Sequence, residues 1–106
     1  MRKEVQIPET FELIGRKISV VFQDDLIMED DKVGLANYRI DKVVLQPTNA
    51  GVKRPIDRIK ETYFHEVTHF ILEAMESKLF DDETFVSLFS SLLYQVLKTS
   101  EYKEEK

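Results

Sequence analysis

The sequence predicts an α+β domain: a small, mainly antiparallel sheet of about three strands packed against two helices. Three observations carry this. Residues 17–22 are β-branched and alternate in polarity, with Ile18, Val20 and Phe22 on one side. Two further short apolar runs, 34–38 and 42–46, follow with only Arg39-Ile40-Asp41 between them. From residue 55 onward the apolar spacing changes to a helical period and holds it almost to the end of the chain.

Length and composition set the frame. A chain of 106 residues supports one domain with a real core. Apolar residues make up 42% and charged residues 33%, ordinary values for a globular protein. The net charge of −5 argues against a nucleic-acid partner, which calls for a basic face. The chain has no Cys, so neither a disulfide nor a thiolate-bound structural zinc is available. No apolar run approaches a membrane span, and residues 1–6 lack a signal-peptide core, so a cytoplasmic setting is expected.

Residues 1–10 are polar, contain Pro8 and read as an extended or loosely ordered lead-in. Residues 10–14 suit a helical turn or a strand, ended by Gly15. The strand 17–22 follows. Residues 24–32 hold five acids but not the spacing or glycine of a calcium loop, and read as a solvated acidic loop. Of the next two strands, 42–46 contains the continuous run Val43-Val44-Leu45 and belongs inside the sheet; 34–38 is mixed and belongs at its edge. Residues 47–54, with Pro47, Asn49 and Gly51, form a loop.

Pro55 suits the first turn of a helix running to about Ser77. Its apolar stripe is Ile56, Ile59, Tyr63, Val67, Phe70, Ile71 and Ala74, which should pack on the sheet. Arg58, Thr62, His65, Glu66, His69, Glu73 and Glu76 fall on the other stripe, toward a cleft or solvent. A break at 78–82 precedes a last helix, 82–98, which Asp81 or Asp82 can cap. Phe85, Val86, Leu88, Phe89, Leu92, Leu93, Val96 and Leu97 should be its buried face; Glu83, Ser87, Ser90, Ser91 and Tyr94 its polar one. Residues 101–106 form a charged tail, expected to fray.

Within the first helix lies His65-Glu66-Val67-Thr68-His69, holding the only two histidines of the chain. Residues four apart project from one helical face a turn apart, so two imidazoles can share one Zn²⁺. The glutamate after the first histidine then stands beside the metal, where it can accept a proton from water. Two histidines are one ligand short. Without Cys or a third His, the third ligand must be a carboxylate. Glu73 lies on the right face, but about 6 Å further along the helix. Residues 78–83 can span roughly 20 Å, close to what is needed to bring the next helix back level with the histidines. Glu83 is therefore the first choice, Asp82 the second.

The motif His65-Glu66-Val67-Thr68-His69-Phe70-Ile71-Leu72, an acidic turn, and then Glu83 to Leu93 resemble the compact zincins of bacteria and phages. The ImmA/IrrE-type metallopeptidases and the minimal gluzincin-like proteins are the nearest in kind. The resemblance spans residues 17–98 and is most specific at the histidine motif. It implies a small sheet-plus-helices fold, a zinc cofactor and hydrolysis of peptide bonds in a protein or peptide substrate. It also assigns His65, His69 and Glu83 as zinc ligands and Glu66 as general base. Substrate would add alongside residues 35–38 as an extra strand. Larger relatives of that kind add a further histidine that steadies the oxyanion. This chain has none left, which leaves Tyr38, Tyr63, Tyr94 or the metal alone. The alternative is a weak or inactive zincin-like module that binds another protein.

Overall fold

The computed structural model describes residues 4–24, 33–49 and 51–103. Most of the expected acidic loop, and the last three residues of the tail, lie outside the described residues. The fold is α+β, as expected, with a four-stranded sheet rather than one of three strands. β1 (Thr10–Leu13) and β2 (Arg16–Phe22) form a hairpin. β3 (Gly34–Asn37) and β4 (Lys42–Leu45) form a second antiparallel pair. The sheet order is β1-β2-β4-β3.

The additional strand is β1, at a stretch where the sequence suited either a turn or a strand. Its hairpin closes through Ile14 and Gly15, both at positive φ (51° and 73°). That is the backbone twist a two-residue hairpin turn needs. Glycine takes it without strain, whereas Ile14 leaves its side chain in solvent.

The two hairpins join through a parallel pairing of β2 with β4, Val20 opposite Val43 and Phe22 opposite Leu45. The pairing follows from burial. Val43, Val44 and Leu45 are all buried, so β4 takes the interior place and β3, which follows β2 in sequence, is displaced to the edge. Residues 47–54, expected as a loop, contain a small separate hairpin, β5 (Thr48–Asn49) with β6 (Val52–Lys53).

α1 (Ile56–Ala74) lies across one face of the sheet. Ile18 and Val20 of β2, Val43 and Leu45 of β4, and Ile59, Tyr63 and Phe70 of α1 form the core. Phe70 is fully buried and meets Phe11 and Tyr38 edge-on, at ring-centroid distances of 6.4 and 5.0 Å. Ile56, assigned to the buried stripe, is exposed at the helix start. The lead-in from Glu4 onward runs extended and is tied down: Glu9 accepts a hydrogen bond from Val20 N, Ile7 packs on the core, and Glu4 pairs with the buried Lys60 at 3.2 Å.

α2 (Glu83–Thr99) returns antiparallel against α1. The structure corrects the sequence expectation in part: of the expected buried face, Val86 is buried and Phe85, Leu93 and Leu97 are half-buried. Val86, Ser90 and Tyr94 are the buried residues, whereas Leu88, Phe89, Leu92 and Val96 are 62%, 46%, 61% and 60% exposed. Two polar contacts explain the choice. The Tyr94 hydroxyl donates to Asp57 at 2.7 Å, and Lys98 pairs with Asp57 at 3.2 Å, both across to α1. Glu83 is bound to α1 in the same way at the other end. Ser90 and Tyr94 of the polar stripe therefore face the neighbouring helix beside Val86, while Leu88, Phe89, Leu92 and Val96 are turned outward.

Candidate metal centre

Three segments build the site: the middle of α1, the connector after it, and the first residue of α2. α1 ends at Ala74 with Met75 as its C-cap, and Glu76 just beyond holds a positive φ of 55°. Ser77 N then bonds back to Leu72 O and Glu76 N to Glu73 O, a Schellman closure. The helix therefore stops short of the expected Ser77, and no glycine announces the stop. The Ser77 hydroxyl accepts from Leu79 N and starts a single 3₁₀ turn, Lys78–Asp81. This turn carries the chain back along α1 before α2 begins. Asp82 caps α2 by accepting from Phe85 N at 3.0 Å.

The result is convergence of three side chains. Glu83 sets one carboxylate oxygen 3.0 Å from His65 Nε2 and the other 2.9 Å from His69 Nε2. One ligating atom from each residue can be chosen so that all lie within 4.8 Å of one another. The two rings are 5.0 Å apart between centroids. A tetrahedral ion with bonds of about 2.1 Å holds its ligand atoms roughly 3.4 Å apart, so small side-chain adjustments accommodate one.

The donor set also has the right chemistry. His69 Nδ1–H donates to the Phe80 carbonyl at 2.5 Å. The carbonyl can only accept, so Nδ1 carries a proton and Nε2 is the atom turned toward Glu83, the usual arrangement behind a metal-ligating imidazole. His65 has its pKa pushed down, chiefly by burial and in part by His69, against an opposing effect of Glu83. The neutral ring is the form that ligates. The Glu83 side chain is 68% exposed, so the centre opens to solvent on that side.

The other acids considered lie elsewhere. Asp82 is used as a helix cap. Glu73 faces Arg16 at 3.7 Å, and Arg16 also binds Asp41 and the Tyr38 carbonyl.

Glu66 is buried and lines the same cleft as His65, His69 and Glu83. Gly34 makes room for it. A Cβ at Gly34 would lie 3.0 Å from Glu66 Oε2 and inside the Thr62 methyl group, so the edge strand reaches the helix only because this residue has no side chain. The cleft, about 680 Å³, runs between β3 and the serine stripe of α2, Ser87, Ser90 and Ser91.

Of the three tyrosines weighed above, Tyr38 alone lines this cleft. Burial, then the negative charge of Glu66, pushes its pKa up to about 12, so its hydroxyl remains a donor. Tyr63 is part of the core, and Tyr94 is committed to Asp57. Sequence reasoning missed Arg54. This half-buried side chain borders the cleft and donates to Gln46 O, Val33 O, Arg58 O and Thr62 Oγ1. Only its place ahead of the helix could have marked it.

No family model, no curated protein and no solved structure matches this chain. Among the described residues, no helix is long and apolar enough to cross a membrane.

Proposed function

We propose that the protein is a zinc-dependent metallopeptidase of the compact zincin type, acting on a protein or peptide substrate in the cytoplasm. The observation that carries this reading is the meeting of both His Nε2 atoms with the Glu83 carboxylate beside the buried Glu66. His65, His69 and Glu83 would hold the metal. A zinc ion there supplies Lewis acidity and a water acidic enough to react at neutral pH. Glu66 accepts the proton of the attacking water and delivers it to the departing amine. The β3 edge pairs with the substrate backbone as an added strand and holds the scissile bond along the cleft. Tyr38 donates its hydroxyl toward the carbonyl oxygen as charge develops there.

A second reading has one specific observation in its favour. The exposed row Leu88, Phe89, Leu92 and Val96 suits a protein-binding module in which the centre is catalytically weak or silent.

Zinc content and cleavage separate the two. The purified protein should hold one zinc per chain and generate new peptide termini from a digest of cellular proteins, read by mass spectrometry. Glu66→Gln should keep the zinc and lose the cleavage. Stoichiometric zinc with no cleavage by the wild type would leave the binding-module reading in place of the enzyme.

A further inference from the structure

The end of the cleft away from Tyr38 carries two arginines whose charge the proposed chemistry does not use. Arg54 is half-buried, and each of its four hydrogen bonds goes to a neutral acceptor, three carbonyls and a hydroxyl. No carboxylate among the described residues forms an ion pair with it. The bond to Thr62, at 2.7 Å, and that to Gln46 O, also 2.7 Å, hold the guanidinium in one place. Its neighbour Arg58 is exposed and, among the described residues, forms an ion pair with Glu61 alone, on its own helix, at 3.6 Å. An exposed pair of that length contributes little and separates readily. Burial and the nearby Arg58 both push the Arg54 pKa down, the sign of a cation whose surroundings do not compensate it. Among the described residues, this end of the cleft carries Arg54 and Arg58 against Glu61, with Glu66 next along the cleft, on a chain of net charge −5.

We propose that Arg54 and Arg58 form a subsite for a carboxylate of the bound peptide. The proposal rests on the peptidase reading of the cleft, and names the substrate class: a peptide with an acidic group displaced from the reacting bond. Thr62 and Arg58 precede His65 by three and seven residues, or about 5 and 10 Å along the helix. That distance corresponds to two or three residues of extended chain. Arg54 is held rigidly with both Nη groups engaged, so it contributes a fixed positive charge, while the exposed Arg58 supplies the mobile donors that close over the ligand. A carboxylate here supplies a countercharge that Arg54 does not find among the described residues. The sign is diagnostic, because the overall field of an acidic protein repels an acidic peptide.

The test uses the zinc-loaded Glu66→Gln protein, so that bound peptides stay intact. The probes are fluorescein-labelled peptide pools of equal length, randomised except for one position held as Glu or as Gln, with amidated C-termini. A further Gln pool with a free C-terminal carboxylate separates a side-chain ligand from a chain end. By fluorescence anisotropy, one carboxylate pool should bind about tenfold more tightly than the neutral pool, as for one charge-assisted contact. Added Arg58→Gln should remove most of that ratio, without lowering Tm, because the side chain is exposed. Arg54→Gln should remove it too, at some cost in stability. Equal affinity of all pools, or a preference that survives Arg58→Gln and Arg54→Gln, overturns the subsite. Wild-type protein incubated with the same pools tests the parent reading separately. If it cleaves nothing while the acidic preference holds, the peptidase reading falls and the subsite stands.

Discussion

The Nδ1–H of His69 is bonded to the carbonyl oxygen of Phe80, eleven residues later, across the connector between the two helices. This one contact orients a ligand and fixes the path of the segment that delivers another. The ring of Phe80 also meets Tyr38 edge-on, at 6.4 Å. Phe80→Gly should loosen the 3₁₀ turn and weaken zinc binding on the order of tenfold, as loss of support behind a ligating histidine does. Competition with a chromophoric chelator measures it, and His69→Ala sets the limit of complete loss.

Asp82 and Glu83 are adjacent acids with separate tasks. Glu83→Gln should abolish stoichiometric zinc and change the stability of the apo fold little, since its contacts to the two histidines are made by an exposed side chain. Asp82→Ala should do the reverse: zinc retained, stability lowered by about 1 kcal/mol through loss of the cap. Metal analysis and thermal denaturation of the two variants, side by side, check the assignment.

The facing of α2 is tested by a pair of apolar substitutions. Val86 is fully buried and Leu92 is 61% exposed. Val86→Ala should cost about 2 kcal/mol through lost burial and a cavity. Leu92→Lys should change the stability of the monomer by less than about 0.5 kcal/mol. Equal, large losses in urea melts would mean that α2 buries the opposite face.

Alkaline pH should weaken the fold through its tyrosines. Burial raises the pKa of Tyr38, Tyr63 and Tyr94 to about 12 from an ordinary value of 10.0. The protonated form is therefore favoured more in the folded chain than in the unfolded one. Their contribution is whole below pH 10 and is lost as pH rises from about 10 to about 12. Denaturation followed at successive pH values, with Tyr94→Phe reducing the slope, gives the measurement.

The sequence by itself determined the class of fold and the local half of the site. Period-two alternation at Ile18 and Val20 marked a strand, and the run Val43-Val44-Leu45 marked an interior one, because side-chain burial follows backbone repeat directly. His65, Glu66 and His69 share a helical face for the same reason. The length of the 78–83 segment was enough to favour Glu83 over the other acids.

What only the tertiary structure decided depends on contacts between distant residues. β1 joins the sheet through a turn with Ile14 at positive φ, which composition does not announce. The parallel pairing of β2 with β4 expresses competition for the interior place, which local periodicity does not encode. α2 buries Val86, Ser90 and Tyr94 rather than its most apolar stripe, and Tyr94 and Lys98 find Asp57 of α1 there. Leu88, Phe89, Leu92 and Val96 have no second layer over them among the described residues. Hydrophobic patterning measures how apolar a face is; whether another element lies against that face is settled by the rest of the chain.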